Sequence, residues 1–370
     1  MPFGRPPRWT TPETLGGPRV GEARPTWSQN EGYLWLSRLC SAVQILVTGG
    51  AGFIGGHLAE RFVTDGHDVV VLDNLDDFYA VDIKERTIEQ CRTAADSGEG
   101  SYRFVEGDVT RPDDVEGVVD GVDTIYHQAA QAGVRRSVEV PRQYDEVNVD
   151  GTLNVLDAAR QADVGRVVYA SSSSVYGESA APPFHEDHPT RPVSPYGASK
   201  LAGERYVMAY DAVYDLPAVA LRYFTVYGPR MRPNMAISNF VSRCLRGESP
   251  VVYGDGSQIR DFTYVADVVD VNRTILTTEA ADGQTLNVGS TDTIDIETLA
   301  TEIRDRLAPD LDIAYDERHA ADADHTHADT TRAAALLGYA PSYTIREGVA
   351  AYVDWYLDNR EWYEPLVVRS

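Results

Sequence analysis

Short apolar runs alternate with longer segments of helical periodicity along most of the chain. The apolar runs are rich in β-branched residues and predict buried strands over 43–48, 68–72, 102–106, 122–127, 166–170 and 217–222. Between them, the pattern predicts helices near 53–65, 112–119, 143–162 and 196–214. Because strands and helices alternate and the strands are almost wholly apolar, we predict an α/β fold with a doubly wound parallel sheet, covered on both faces.

The rhythm of the pattern changes after about Arg222. Prolines and glycines become frequent, and shorter helices are predicted near 236–246, 266–279, 295–307 and 344–358. We therefore predict a larger domain over 43–222 and a smaller C-terminal α/β lobe over 223–370, partly interleaved with the first, that binds the substrate. Residues 1–42 hold six prolines and show no steady period, so we expect a disordered extension there, or sequence upstream of the true start.

A glycine-rich turn joins the first predicted strand to the first predicted helix, within the stretch from Val43 to Gly56. Two of its glycines would let the backbone approach a pyrophosphate, and the third would let the helix pack closely on the strand. The start of the helix offers unpaired N–H groups to the phosphates. This predicts a dinucleotide site of the Rossmann type, in preference to an ordinary strand-to-helix turn. The residues expected to contact the dinucleotide are Gly49, Gly52, Phe53, Ile54 and Gly55.

Asp73 ends the second predicted strand, about twenty residues beyond the glycines. Its carboxylate could accept hydrogen bonds from both ribose hydroxyls and would repel a 2′-phosphate, which predicts NAD rather than NADP as the cofactor. Asp108 could bind the adenine amino group, or it could only form the turn in Gly-Asp-Val. Residues at the neighbouring strand ends complete the predicted cofactor site: Asn74, Val109, Gln128, Ala129 and Ala130.

The composition excludes several classes of partner. The formal net charge is −24, and only two of the 33 basic residues, Lys84 and Lys200, are lysines. Such a surface would repel nucleic acid and anionic membranes. It predicts a halophilic protein, with an acidic mesophilic enzyme as the alternative. No apolar run is long enough to span a membrane, and the three cysteines, Cys40, Cys91 and Cys244, have no disulfide or zinc spacing, so we expect a cytoplasmic protein.

Tyr196 and Lys200 lie four residues apart in a predicted helix and therefore share one helix face. A tyrosine has a pKa of about 10, and its use as a base near neutral pH costs about 4 kcal/mol. One cation at about 4 Å supplies that much energy at an effective dielectric constant of about 20. We therefore predict that Lys200 lowers the pKa of Tyr196, the alternative being a solvated pair on a helix surface.

A run of serines ends the fifth predicted strand, immediately before Val175-Tyr176-Gly177. A hydroxyl at this end of the strand could hold a substrate oxygen and relay its proton. Ser172 is the first candidate. No G-x-S-x-G sequence surrounds the run, which argues against a serine hydrolase. The alternative is a polar strand end that carries no chemistry.

Together these motifs resemble the extended short-chain dehydrogenase/reductase family, in its NAD-dependent nucleotide-sugar epimerase branch, from about residue 43 to the C-terminus. The resemblance implies that Tyr196 takes the proton of the sugar O4 while hydride leaves C4 for the nicotinamide. Lys200 would hold the nicotinamide ribose, and Ser172 would hydrogen-bond O4. The keto-sugar would then turn and take hydride back on its other face. Asn148 would join the cofactor site.

Other branches of the family differ beside the catalytic serine. Sugar dehydratases carry an Asp-Glu pair there, and decarboxylases carry a Glu, whereas this chain has Ser173 and Ser174, which we assign to the substrate site. Epimerisation needs no second acid and is therefore favoured. The alternatives are a nucleotide-sugar dehydratase or reductase, and a non-catalytic dinucleotide-binding scaffold. The scaffold is disfavoured because Tyr196, Lys200 and Ser172 are all present.

The segments 127–135 and 222–235 resemble those of UDP-glucuronate 4-epimerases. By that resemblance Thr225 and Arg232 would face a sugar carboxylate, which places a UDP-hexuronate ahead of UDP-glucose and UDP-galactose. Arg260 would bind the diphosphate and Tyr253 the uracil; Arg318 is a weaker candidate, because its segment departs from the family motif. The resemblance also implies a homodimer formed through the helices near 143–162 and 196–214. His325-Thr-His327 is not predicted to bind a metal.

Overall fold

The computed structural model describes residues 42–177, 181–290, 292–318 and 323–369. The predicted extension over 1–42 therefore lies outside the described residues except for Ala42. Residues 42–370 form one compact unit. Among the described residues, no helix is both long enough and apolar enough to cross a membrane.

A parallel sheet of seven strands forms the centre of this unit, in the order Gln284–Val288, Ala218–Tyr223, Arg166–Ser172, Thr124–His127, Gln44–Thr48, Asp68–Asp73 and Ser101–Glu106. Its strands are β1 (Gln44–Thr48), β2 (Asp68–Asp73), β3 (Ser101–Glu106), β4 (Thr124–His127), β5 (Arg166–Ser172), β6 (Ala218–Tyr223) and β11 (Gln284–Val288). Six short strands pair outside it: β7 (Thr225–Tyr227) with β10 (Phe262–Tyr264), β8 (Val251–Tyr253) with β13 (Ala314–Asp316), and β9 (Ile259–Arg260) with β12 (Ile294–Asp295).

The helices follow the strands in alternation. They are α1 (Phe53–Thr64), α2 (Val81–Ser97), α3 (Pro112–Val119), α4 (Val134–Glu139), α5 (Pro141–Asp145), α6 (Gly151–Gln161), α7 (Pro195–Tyr214), α8 (Ala236–Leu245), α9 (Val265–Leu276), α10 (Ile296–Leu307), α11 (Thr331–Leu337), α12 (Ile345–Asp358) and α13 (Arg360–Arg369). A π-helical turn, Glu146–Asp150, joins α5 to α6, and a 3₁₀ turn, Ser173–Val175, follows β5.

The apolar residues of each central strand point alternately to two separate cores. Ile45 and Val47 of β1 pack into the larger core with the apolar faces of α1 and α2, whereas Leu46 packs into the smaller core with α3, α6 and α7. A strand that is apolar on both faces is what a sheet between two helical layers requires. The predicted doubly wound α/β fold is therefore confirmed.

The sequence pattern missed several elements. Helix α2 carries many charged residues, although Ile83, Ile88 and Cys91 give it a buried stripe at helical spacing. Strand β11 reads Gln-Thr-Leu-Asn-Val and has no apolar run, yet it pairs with β6 at the edge of the central sheet. The sheet therefore extends beyond the predicted boundary at 222. The helix predicted over 143–162 is divided by the π-helical turn.

Candidate active site

A cavity of about 560 Å³ lies at the carboxyl ends of the central strands. Parallel strands bring the residues that follow them to one edge of the sheet, which is where ligands bind in this architecture. Most of the residues predicted from the sequence line this cavity: Gly49, Gly52, Phe53, Ile54, Gly55, Asp73, Asn74, Asp108, Val109, Gln128, Ala129, Ala130, Ser172, Ser173, Ser174, Tyr196, Lys200, Thr225 and Arg232.

The glycine turn leaves no room for side chains. Gly49 has φ of 69°, and a Cβ atom there would lie 2.6 Å from the backbone nitrogen of Ala129. A Cβ atom on Gly55 would lie 2.3 Å from the carbonyl oxygen of Gly49. Helix α1 therefore starts in direct contact with the turn, and the wall of the cavity here is bare backbone. Such a wall fits the pyrophosphate of a dinucleotide.

Asp73 is fixed beside this turn by backbone amides and by an ammonium. Its carboxylate accepts hydrogen bonds from the N–H of Ala51 at 3.0 Å and of Leu75 at 2.9 Å. The Lys84 ammonium lies 3.7 Å from the same carboxylate and lines the cavity. Sequence reasoning did not place Lys84 in the site, although its being one of only two lysines was a usable indication.

Asp108 forms a turn and also faces the cavity. One carboxylate oxygen accepts hydrogen bonds from the N–H and hydroxyl of Thr110, at 2.9 and 2.8 Å, and the other accepts one from the Asn74 amide at 2.8 Å. Burial opposes ionisation, but the hydrogen bonds from Thr110 and Asn74 hold the pKa of Asp108 below its usual value. The carboxylate is therefore kept charged at the cavity wall.

Asn148, which was predicted to join the cofactor site, does not line the cavity. Its side-chain oxygen accepts a hydrogen bond from the N–H of Gln131 at 2.8 Å, and its NH₂ donates to the Gln131 carbonyl and the Ser199 hydroxyl. The amide is thus fully used inside the protein. It supports the loop that lines the cavity, and its contact with the cofactor stays a prediction.

Tyr196 and Ser172 meet in the cavity wall. Ser194 caps helix α7 by accepting a hydrogen bond from the N–H of Gly197, so Tyr196 lies in the first turn. The Ser172 side chain, at the end of β5, lines the same cavity and lies close enough to Tyr196 to lower the pKa of its hydroxyl. The Tyr196 ring also packs edge-on against Tyr144, with centroids 6.2 Å apart. A hydroxyl pair at this edge can exchange a proton with a bound substrate.

Lys200 is buried one turn further along α7, with only 2% of its surface exposed. Its ammonium lies 4.7 Å from the ring centroid of Tyr169, and burial lowers the pKa of Lys200 to about 7. Burial and then the charge of Lys200 lower the pKa of His127 to about 3. His127 is therefore neutral and bridges the hydroxyls of Thr48 and Thr152 at 2.7 and 3.0 Å.

The pKa of Tyr196 departs from the sequence prediction. Burial raises this pKa, and the opposing effects come from the hydrogen bond with Ser172 and the charge of Arg232. The expected lowering by Lys200 is not found, since the Lys200 ammonium lies over the face of Tyr169 and its own pKa is near 7. A lower pKa of the Tyr196 phenol therefore requires further positive charge, which a bound ligand would bring.

A second cavity of about 750 Å³ adjoins the first, and six residues line both: Phe78, Gly133, Val134, Thr225, Arg232 and Met235. Among its described lining residues, five are arginines and one is an acid, Glu139. In a chain of net charge −24, this is a strong local concentration of positive charge, suited to an anionic ligand. The arginines are Arg135, Arg136, Arg232, Arg246 and Arg260.

Tyr253 and Arg260 line this second cavity, as does Arg135, whose guanidinium lies 4.4 Å from the Tyr253 ring centroid. Arg232 stands where the two cavities join, 5.6 Å from the ring centroid of Phe78. Arg318 contributes to the wall of neither cavity and is paired with Asp324. Its contact with the substrate stays a prediction. Arg135, Arg136 and Arg246 were missed by the sequence prediction.

The metal prediction concerned the segment around His325 and His327. In the parts of the chain that the structure describes, no group of three or more His, Cys, Asp or Glu side chains could hold a metal ion. Asp322, which is near the two histidines in the sequence, lies outside those parts.

Comparison with known proteins places the chain among enzymes of one family. The model of the NAD dependent epimerase/dehydratase family matches residues 45–289. A UDP-glucuronate 4-epimerase of Thermodesulfobacterium geofontis is 34% identical over 328 residues, covering 87% of this chain and 99% of the relative. A UDP-glucose 4-epimerase of Mycolicibacterium smegmatis is 36% identical over 325 residues, covering 86% and 100%.

A solved structure agrees with these relatives. The crystal structure of UDP-glucuronic acid 4-epimerase from Bacillus cereus, in complex with UDP-glucuronic acid and NAD, superimposes with a TM-score of 0.79 at 30% identity. The match covers 85% of this chain and 99% of that one.

Proposed function

The chain belongs to the NAD-dependent epimerase/dehydratase family, and from that premise we propose that it is a UDP-sugar 4-epimerase. The observation that carries the proposal is the position of the Tyr196 and Ser172 hydroxyls. They stand in the wall of the cavity that fits a dinucleotide, and that cavity opens into a second one lined by five arginines. A nucleotide sugar needs both features, a proton acceptor at one hydroxyl and cations for its diphosphate.

The cofactor is NAD, and the residues of the first cavity fit it. The bare turn at Gly49 and Gly55 would take the pyrophosphate, and Asp73 would accept the hydroxyls of the adenosine ribose. In its oxidised form, NAD supplies a hydride acceptor and a positive charge to this cavity. That positive charge would lower the pKa of Tyr196, which burial raises.

Tyr196 would be the base of the reaction. Its phenolate takes the proton from O4 of the sugar as the C4–H bond breaks, so that the electron pair of that bond leaves as hydride and C4=O forms. Ser172, beside Tyr196 in the cavity wall, would hold O4 by a hydrogen bond. After the 4-keto sugar has turned, hydride returns to the opposite face of C4 and Tyr196 returns the proton to O4. The net result is inversion at C4 with no change in redox state.

Lys200 would support this proton transfer from the same helix face. It is buried within one turn of Tyr196, so its ammonium is not screened by water. The pKa of about 7 means that the ammonium readily gives up or takes a proton near neutral pH. Lys200 is therefore placed to hold a ribose hydroxyl of the cofactor, while the charge of the oxidised cofactor acts on Tyr196.

A UDP-hexuronate is the substrate that the second cavity supports best. Thr225 and Arg232 line both cavities at their junction, where the sugar would lie between cofactor and diphosphate. A guanidinium there can bind the C6 carboxylate in a bidentate manner. Arg260 and Arg135 line this cavity and would bind the diphosphate, and the Tyr253 ring, against which the Arg135 guanidinium lies, would pack against the uracil.

Assays of the purified protein with UDP-glucuronate and UDP-glucose, analysed by mass spectrometry and chromatography, test the function. We expect each sugar to be converted to its C4 epimer without change of mass, with the higher kcat/KM for UDP-glucuronate. A product lighter by one water or one CO₂ would assign the chain to another branch of the family. Absence of any product, with NAD bound, would favour the scaffold alternative.

The variant R232A tests the carboxylate contact. We expect kcat/KM to fall about 10- to 100-fold more for UDP-glucuronate than for UDP-glucose, since a hydrogen bond to a charged group contributes about 1.5–3 kcal/mol. R246A is the matched control, because Arg246 lines the same cavity but is paired with Glu248. An equal loss for both sugars in R232A would contradict the carboxylate assignment.

We also infer a homodimer that buries one face of α7. Tyr206, Val213 and Tyr214 expose 41%, 68% and 51% of their surface along this helix. Arg160 of the neighbouring α6 lies 5.2 Å from the Tyr214 ring centroid, so the two helices present a joint surface. Light scattering should give the mass of two chains, and V213E should give that of one.

A further inference from the structure

A buried ion pair joins the helix that carries Tyr196 and Lys200 to the end of the strand that carries Ser172. Glu204 and Arg222 expose 0% and 1% of their surface. The guanidinium donates to both carboxylate oxygens, from Nη2 to Oε1 at 2.7 Å and from Nε to Oε2 at 2.9 Å. The Ser171 hydroxyl donates to the same Oε2 at 2.7 Å. Every partner of this carboxylate is therefore a group at the carboxyl end of the sheet.

The pair connects strands β5 and β6 to helix α7 near the carboxyl ends of the two strands. Arg222 of β6 is the register partner of Ser171 of β5, one residue before Ser172. Glu204 lies on α7, eight residues after Tyr196 and four after Lys200, and these three positions share one helix face. The carboxylate of α7 is thus held by side chains from both strands. Any sliding or rotation of α7 relative to β5 would break at least one of the three hydrogen bonds.

Arg222 also bonds the segment of chain that follows β5. Arg222 Nη1 donates to the Tyr176 hydroxyl at 2.9 Å and to the Glu186 carbonyl at 3.0 Å. The Glu186 side chain in turn accepts a hydrogen bond from the N–H of Asn287 in the edge strand β11, at 2.8 Å. The guanidinium is therefore linked to β11 through Glu186.

Stability alone does not explain such a pair. Removing two charges from water is costly, and replacing a buried pair by apolar side chains of similar volume is often neutral or stabilising. What the pair does provide is a fixed position of α7 relative to the strands. The bidentate Arg222 guanidinium and the Ser171 hydroxyl can both bond the Glu204 carboxylate in one arrangement only. Apolar packing would tolerate small shifts of α7 that hydrogen bonds do not.

We propose that Glu204 and Arg222 are positioning residues, which set the register of α7 on β5 and so the distance between the Tyr196 and Ser172 hydroxyls. The proposal rests on the proposed epimerase function. An error of about 1 Å in the placement of a reacting group can cost about 100-fold in rate. Loss of the fork should therefore affect the chemical step more than the binding of either ligand.

The substitution R222K tests this, because it keeps the charge and removes the fork. Its matched control is R166K. Arg166 begins strand β5, at the end opposite Ser171. It also makes a bidentate pair, with Asp282 at 2.7 and 2.8 Å. We measure kcat and KM for the UDP-sugar, affinities for NAD and UDP by calorimetry, and Tm. A double variant, E204M/R222M, replaces the pair by apolar side chains.

We expect R222K to lower kcat about 10- to 100-fold, with KM and both affinities within about twofold of wild type. R166K should lose a similar amount of Tm and keep kcat within about twofold. A folded E204M/R222M variant should also have a low kcat; if it does not fold, the comparison of R222K with R166K decides. Wild-type kcat in R222K, equal losses in R222K and R166K, or full activity in the double variant would overturn the proposal.

These outcomes separate the two levels of the argument. If the wild-type protein interconverts no UDP-sugar, the proposed function fails and the positioning role falls with it. If the wild-type protein is active and R222K is equally active, only the positioning role fails.

Discussion

The ammonium of Lys200 lies 4.7 Å from the ring centroid of Tyr169, at a position with only 2% of the residue exposed. An aromatic face stabilises a cation, but it replaces far less of the lost hydration than a carboxylate would. This is the physical reason that burial lowers the pKa of Lys200 to about 7. The proposed site therefore keeps a lysine at a cost in stability.

The stability of the protein without NAD should increase with pH as a result. The unfolded chain holds the Lys200 proton up to a pKa of about 10.4, whereas the folded chain releases it above about 7. Between these values the unfolded state binds more protons, so Lys200 adds to the free energy of unfolding by at most about 1.4 kcal/mol per pH unit. Thermal unfolding between pH 6.5 and 9 measures this.

The variant K200M isolates that contribution. It should lose activity, and its Tm should rise less steeply with pH than that of wild type. K84M is the matched control, since it removes the other lysine and its ion pair with Asp73 but leaves Lys200 in place. Identical pH slopes in wild type and K200M would contradict the assignment.

Removing the phenol of Tyr196 should stop proton transfer without preventing binding. We expect Y196F to lower kcat by about 10²- to 10⁴-fold, the usual contribution of a general base, with KM nearly unchanged. Y144F serves as the control, because Tyr144 packs against the same ring and its hydroxyl donates to the Ala132 carbonyl instead. A loss in Y144F as large as that in Y196F would point to packing as the cause.

Asp73 should decide between NAD and NADP, together with Lys84. In D73S the carboxylate that repels a 2′-phosphate is gone, and the Lys84 ammonium, now 3.7 Å from the vacated position, is free to attract one. We expect the ratio of the NADP and NAD dissociation constants to fall at least about tenfold, or about 1.4 kcal/mol. Calorimetry with D73S/K84M should show a smaller change, and an unchanged ratio in D73S would refute the role of Asp73.

The close packing of α1 on the glycine turn predicts a strong effect of one methyl group. In G55A the new Cβ atom would lie 2.3 Å from the Gly49 carbonyl oxygen, so the helix must move away from the turn. We expect a loss of about 1–3 kcal/mol in the free energy of unfolding and weaker NAD binding.

The same substitution at Gly117 is the control, because a Cβ atom there meets nothing within 4 Å. G117A lies within helix α3 and should stabilise the protein by about 0.4–1 kcal/mol. Denaturant unfolding and NAD titration of both variants compare them directly. Equal NAD affinity in G55A and wild type would show that the turn tolerates displacement of α1.

Some of the site could be predicted because it depends on neighbours in the chain. The turn from β1 into α1, the acid at the end of β2 and the shared face of Tyr196 and Lys200 all follow from local spacing. The structure brings those residues to one cavity, as the order of strands requires. Helix α2 and strand β11 were missed because their sequences are largely polar, and only packing against distant elements makes them regular.

The sequence by itself determined the fold class, the cofactor turn and the candidate chemical groups, since each depends on the period and type of adjacent residues. Tertiary structure decided where those groups point. It placed Lys200 over Tyr169, used the Asn148 amide inside the wall, left Arg318 outside both cavities and joined α7 to the strand ends through the Glu204–Arg222 pair. Burial and charge at a site arise from residues far apart in the chain, and local spacing carries no information about them.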